Sequence, residues 1–209
     1  MPEEEHHIGR MGVDRVKRLL EGTLRFSLPY NAYQHKERVT LTMLTGYPET
    51  YDLNGDILDE GGHERTRIFI ESKNLDGAGS QGIEFKRFLA QAYSATRYQI
   101  GQSSSAPDPK YEFMWATTCP WKGDGFRRVA TSQELRDSVE WDMTRNLDDL
   151  VAGKKLPRIV PPEHEIDTDL IQIVASRIWV WVISERQDEM ILSGKMRGWV
   201  QDRLAQEVA

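Results

Sequence analysis

The sequence predicts a mixed α/β layered domain with a helical C-terminal extension. Three observations carry this expectation. Two strand-like stretches, Tyr51 to Leu58 and Arg67 to Glu71, flank a Gly-rich turn, Glu60-Gly61-Gly62-His63. An amphipathic stretch from Ser80 to Gln99 follows, and then a third strand-like run, Tyr111 to Thr118. Strand pair, helix and strand in that order build a sheet that needs helices on its faces.

The elements follow in chain order. Val13 to Leu20 reads as a short amphipathic helix. Pro29 and Asn31 punctuate the chain, and Asn31 can cap a second helix running to about Leu44, where Gly46-Tyr47-Pro48 stops it. The apolar, β-branched and aromatic run RIFIE at 67–71 suits a strand buried on both faces. With 51–58 it forms an antiparallel hairpin. Asp76 to Ser80 is a loop. Phe85, Phe88, Leu89, Ala92 and Thr96 recur at helical spacing and give the next helix one packed face. Loops at 101–109 and 119–128 bracket the strand at 111–118. Ser132 caps a helix extending towards Ala152, and Lys154 to Pro162 is an extended connector. Two helices are expected beyond it, one after Asp167 and one after Ser193-Gly194. The strand propensity of Ile178 to Ser184 competes with the first of these. The domain division is 1–152 for the α/β domain and 153–209 for the extension, packed on that domain or forming an interface.

Bulk properties narrow the function classes. The chain has 209 residues and a formal net charge of -6. That balance argues against a protein that coats nucleic acid over its whole surface, while a local basic track beside an acidic site stays compatible with it. A single cysteine, Cys119, allows no intramolecular disulfide and fits a reducing compartment; as a side chain it reads as a small, semi-buried residue. The polar N-terminus lacks an apolar signal core, and the run from Ile171 to Ile183 is broken by Gln172, Ser176 and Arg177. A cytoplasmic protein without membrane contact is expected. The five histidines show no metal-site spacing, and no phosphate-cradling Gly-rich motif is present.

Two acids and a lysine stand out. Residues two apart on a strand share a face, so Glu71 and Lys73 project together. A hairpin can bring Asp56 next to Glu71. Carboxylates this close repel unless a cation lies between them, and their hard oxygens prefer Mg²⁺ or Mn²⁺. Such an ion polarises a phosphoryl oxygen and acidifies its water, and a lysine offsets phosphate charge. The bland reading of Glu71 and Lys73 is a strand end emerging into solvent; for Asp56, with Asp52 and Asp59 as rivals, it is a turn or edge role.

The stretch from Glu37 to Lys73 resembles the core of the PD-(D/E)xK, or restriction-endonuclease-like, nuclease superfamily. That core has a helix bearing a glutamate, a strand with an aspartate, and a hairpin return ending in Glu-x-Lys. Here ERVTLTMLTGYPETYDLNGDILD supplies Glu37 and Asp56, and IFIESK supplies Glu71 and Lys73. The class then places a helix and a parallel strand, where 80–99 and 111–118 fall. The resemblance covers roughly 31–120, and the proline before the aspartate is missing. It implies a restriction-endonuclease-like sheet with Asp56 and Glu71 as metal ligands and Lys73 assisting the attacking water. Glu37 becomes an outer or second-metal ligand, and Gln91 reaches in from the following helix. The implied activity is Mg²⁺-dependent (or Mn²⁺-dependent) endonucleolytic cleavage of DNA, with RNA left open. Many members of the class restrict foreign DNA, which suggests the effector nuclease of an anti-phage defence system, assembled as a homo-oligomer or with a larger partner protein.

Lys86, Lys122, Arg127 and Arg128 are candidate phosphate contacts, the last three beside Trp121 and Phe126, which can stack bases. Each reads more often as solvated surface. Two other functions stay open. One is a noncatalytic member of the same fold that binds nucleic acid or a partner; the other is an adaptor assembling through its C-terminal helices, where Trp179 and Trp181 lie.

Overall fold

The computed structural model describes residues 2–59, 62–73, 81–102, 111–119, 130–148, 150–151, 153–184 and 187. The chain begins with helix α1 (Pro2–Thr23) and strand β1 (Phe26–Asn31), passes a single 3-10 turn at Lys36–Arg38, and makes a small hairpin, β2 (Thr40–Thr42) and β3 (Pro48–Thr50). Strands β4 (Leu53–Leu58) and β5 (Glu64–Lys73) lead to helix α2 (Gln81–Gln102), strand β6 (Tyr111–Thr117) and helix α3 (Ser132–Thr144). A two-residue-arm hairpin, β7 (Leu150–Val151) and β8 (Lys154–Lys155), precedes helix α4 (Thr168–Ala175) and strand β9 (Ile178–Val182).

The central sheet has the order β1-β4-β5-β6-β9. Its first three strands are antiparallel, and β6 and β9 add in parallel. Period-two alternation on β5 divides the core. Ile68 and Ile70 pack with Leu53, Met114 and the α1 residues Val16, Leu19 and Leu20. Phe69 packs the other way, with Phe113, Trp115 and the apolar faces of α2, α3 and α4. The sheet is thus covered on both faces, which is what a mixed α/β layer requires. Glu71 and Lys73 continue the Phe69 face, so both emerge under α2. Residues 153–184 belong to the same packing: Ile159, Val160, Leu170 and Val174 sit in the α2 core, and Ile183 sits in the α1 core.

Three expectations change. The helix expected from Asn31 to Leu44 does not form. The Asn31 side-chain oxygen accepts the N–H groups of Tyr33 (3.1 Å) and Gln34 (2.9 Å), so its capping capacity closes a local turn. The β-branched residues after it go into the β2–β3 hairpin, where Thr40 and Thr50 share a hydroxyl hydrogen bond of 2.9 Å and Gly46 supplies φ 80°. The helix expected to reach Ala152 ends at Thr144, and its cap is Thr131, whose hydroxyl accepts the Glu134 N–H at 3.2 Å. In the C-terminal extension Asp167 does cap a helix, accepting from Leu170 N–H at 3.0 Å. That helix stops at Ala175, because Ile178–Val182 gains a full parallel ladder against β6. The helix expected beyond Gly194 lies outside the described residues. Among the described residues no helix is long and apolar enough to cross a membrane.

One backbone approach fixes the first strand pair. The β1 register shifts between Ser27 and Tyr30, and the bulge presses onto Gly55 of β4. A Cβ at that position would run into the Ser27 carbonyl oxygen and stand 2.7 Å from the Leu28 Cα. Only hydrogen fits there.

Candidate active site

Lys73 ends β5 and is the centre of a charged cluster. Its ammonium lies 2.9 Å from Glu71, 3.1 Å from Glu84 of α2, and 5.5 Å from the centroid of the Trp115 ring. Asp52 stands beside them. The register Leu53↔Ile70 brings the residue before β4 opposite Glu71, and the Asp52 carboxylate accepts the Ser72 N–H at 2.8 Å. Glu49, from β3, pairs with the Arg87 guanidinium and hydrogen-bonds Gln91. Glu84, Arg87 and Gln91 recur at i, i+3 and i+7, so one stripe of α2 faces the sheet end. Together with Glu49, Glu71 and Lys73 they line a cavity of about 200 Å³.

The charges do not balance. Four carboxylates (Glu49, Asp52, Glu71, Glu84) face two cations, Lys73 and Arg87. Burial and the Glu71 charge push the Asp52 carboxyl up to about 7, against the pull of Lys73 and the Ser72 N–H. Burial likewise raises Glu49, helped by Glu71 and opposed by Arg87 and Gln91. Burial alone would lower Lys73, but Glu71, Glu84 and Asp52 outweigh it and hold the ammonium above the ordinary lysine range.

The sequence candidates divide. Glu71, Lys73 and Gln91 meet at this cavity. Asp56 does not: it sits opposite Arg67 and pairs with it at 3.6 Å. It lies four residues along β4 from Asp52, roughly 13 Å at strand rise. The reason is register. The pairing Leu53↔Ile70 sets position 52 opposite position 71, so Asp52 and not Asp56 stands beside Glu71. Glu37 is not on a helix and does not reach the cavity. It lies exposed on the 3-10 turn and lines an adjoining open depression with Lys36 and Tyr47. Lys86 is exposed on α2, next to Arg87 in sequence but off the site-facing stripe. Lys122, Arg127 and Arg128 lie outside the described residues. Glu49 and Glu84 are missed from the sequence, Asp52 is weighed only as a rival to Asp56, and Arg87 only as part of the basic pair Lys86-Arg87. The polar stripe on α2 points to Glu84 and Arg87.

The donor set suits some ions better than others. Among the described residues no group of three or more His, Cys, Asp or Glu side chains is gathered to hold a metal. Asp52 and Glu71 offer two adjacent carboxylates, and Mg²⁺ commonly takes one or two carboxylates and keeps several waters. The chemistry fits a hydrated Mg²⁺ or Mn²⁺ better than zinc, whose protein sites are built mainly on imidazole and thiolate. A scan against protein-family models gave no match, and no curated protein or solved structure matched the chain.

Proposed function

We propose that the chain is a Mg²⁺- or Mn²⁺-dependent phosphodiesterase of the PD-(D/E)xK kind, cutting DNA, with Asp52, Glu71 and Lys73 as its core. The observation that carries the reading is the charge imbalance around Lys73. Glu49, Asp52, Glu71 and Glu84 outnumber Lys73 and Arg87 where water access is restricted; Asp52 and Glu49 answer part of that excess by holding protons, and a divalent cation would take the protons' place. The element order supports it. A helix, three antiparallel strands, a helix and a parallel strand run through α1, β1, β4, β5, α2 and β6, with Glu-x-Lys at the end of β5. From β4 onward this is the order that the class resemblance implies; the glutamate-bearing helix it places ahead of them does not form. The anti-phage setting and assembly with further copies or a larger partner rest on the resemblance alone.

In this reading Asp52 and Glu71 hold the cation, which when bound supplies Lewis acidity at a phosphoryl oxygen. Lys73 stays an ammonium at working pH, since three carboxylates hold its proton. It therefore acts as a donor, orienting the attacking water or stabilising charge on a phosphoryl oxygen, and not as the base. Glu84 and the Trp115 ring keep its Nζ in place. Cleavage of plasmid and single-stranded DNA with Mg²⁺ or Mn²⁺ tests the assignment. Wild type cuts, while Lys73→Ala and Glu71→Ala do not and keep wild-type circular dichroism. Normal cutting by both variants overturns it. A second reading, a noncatalytic binder on the same fold, is favoured by one observation: Lys73 is closed onto both Glu71 and Glu84. Calorimetric titration with Mn²⁺ separates the two, because the binder has no need of the ion.

A further inference from the structure

Arg87 is buried, 3% exposed, so each of its N–H groups needs an acceptor inside the protein. One end has them. Nη1 donates to the Pro157 carbonyl at 3.0 Å and lies 3.5 Å from an Asp142 oxygen. Asp142 is itself fixed, accepting Arg145 Nε (3.0 Å) and the N–H groups of Ile159 (2.8 Å) and Val160 (3.0 Å). The other end is incomplete. Nη2 donates to one oxygen of Glu49, and Nε has no partner. Nε and Nη2 form one edge of the planar guanidinium, with parallel N–H bonds that match two oxygens of a phosphate or carboxylate. That edge belongs to a residue lining the same cavity as Lys73.

We infer that the Nε/Nη2 edge of Arg87 is a phosphate-binding position, taking two oxygens of a nucleic-acid phosphodiester once Glu49 gives up its hold. The inference rests on the phosphodiesterase reading for its ligand. The guanidinium is anchored at Nη1, so its Nε/Nη2 edge is held in place before any ligand arrives, and little ordering is lost on binding. Glu49 is the competitor. It occupies half of the fork, and the Glu71 charge and its own burial already weaken its preference for the ionised form.

The test uses the full chain in EDTA and a short fluorescein-labelled oligonucleotide, single-stranded and duplex, followed by anisotropy. Glu49→Gln is expected to bind about tenfold tighter than wild type, because a charged competitor is removed from a bidentate site. Adding Arg87→Lys to it should erase the gain, since lysine keeps the charge and loses the fork. No gain in Glu49→Gln, or a gain that survives Arg87→Lys, overturns the inference. Should the arginine variant unfold, the Arg87 Nε–H resonance in Glu49→Gln replaces it: a shift on adding oligonucleotide supports the site, and an unmoved resonance overturns it. Inorganic phosphate that displaces the oligonucleotide at equal phosphate concentration would overturn the phosphodiester assignment. If wild type cleaves DNA with Mg²⁺ but Glu49→Gln gains nothing, this inference falls and the nuclease reading stands. An Arg87-dependent gain without any cleavage by wild type does the reverse.

Discussion

Two charged clusters lie on either side of Arg87, and they are built differently. Around Asp142 the carboxylate is fully used. One carboxylate accepts Arg145 and two backbone N–H groups, and Arg145 in turn donates to the carbonyls of Leu156 and Pro157 at 2.8 and 2.6 Å. Asp142 is fully buried, and the cluster ties α3 to the connector that leads into α4. Around Lys73 carboxylates outnumber cations, and two of them are held above their ordinary range. A buried carboxylate whose partners all belong to the fold serves the fold, whereas an excess of carboxylates is tolerated only where something else completes it.

The contrast can be broken in four ways. The largest effect is expected on cleavage. Asp52→Asn should reduce metal-dependent DNA cutting by about a hundredfold or more, while Asp56→Asn, which touches only Arg67, should stay within about twofold and cost less than about 1 kcal/mol. Equal losses in a plasmid assay would sink the choice of Asp52. Second, Asp142→Ala should cost about 3–5 kcal/mol in urea denaturation, because it strands two guanidinium groups and two N–H groups; a loss below about 1 kcal/mol would show that cluster to be dispensable. Third, stability should respond to pH through Asp52. Its carboxyl is raised from 3.8 to about 7 in the folded chain, so between those values the unfolded state releases a proton that the folded state keeps. Stability therefore falls as pH rises from about 4 to 7. Melting curves across that range should flatten in Asp52→Asn and in saturating Mg²⁺, and an unchanged slope in both would remove Asp52 from the cluster. The smallest effect belongs to Glu37→Gln, which should leave cleavage and melting temperature at wild-type values; a marked loss of activity would return Glu37 to the site.

Much of this was legible before the structure. The hairpin strands, α2, β6 and the Glu71–Lys73 pair follow from two periodicities and one turn. What misled was local signals with two uses. Asn31 can start a helix or close a turn, and only the β-branched residues after it, drawn into the hairpin by Gly46, decide for the turn. The run Ile178–Val182 suits a helix or a strand, and the open edge of β6 decides for the strand. Asp52 and Asp56 share a parity, so face alone cannot separate them; register can. The pair Lys86-Arg87 stood out as basic, but the burial of Arg87 was hidden, because a cation on an amphipathic helix ordinarily faces water and its burial depends on Asp142, fifty-five positions away.

The pressure of the β1 bulge on Gly55 has a consequence for descent. Strand β1 carries Phe26 and Leu28 into the α1 core, so losing the close approach would loosen the first helix as well as the first strand. A lineage that keeps the bulge is bound to keep glycine three positions after Asp52, however far its surface drifts. Glycine at position 55 is therefore the residue of this strand pair least free to change.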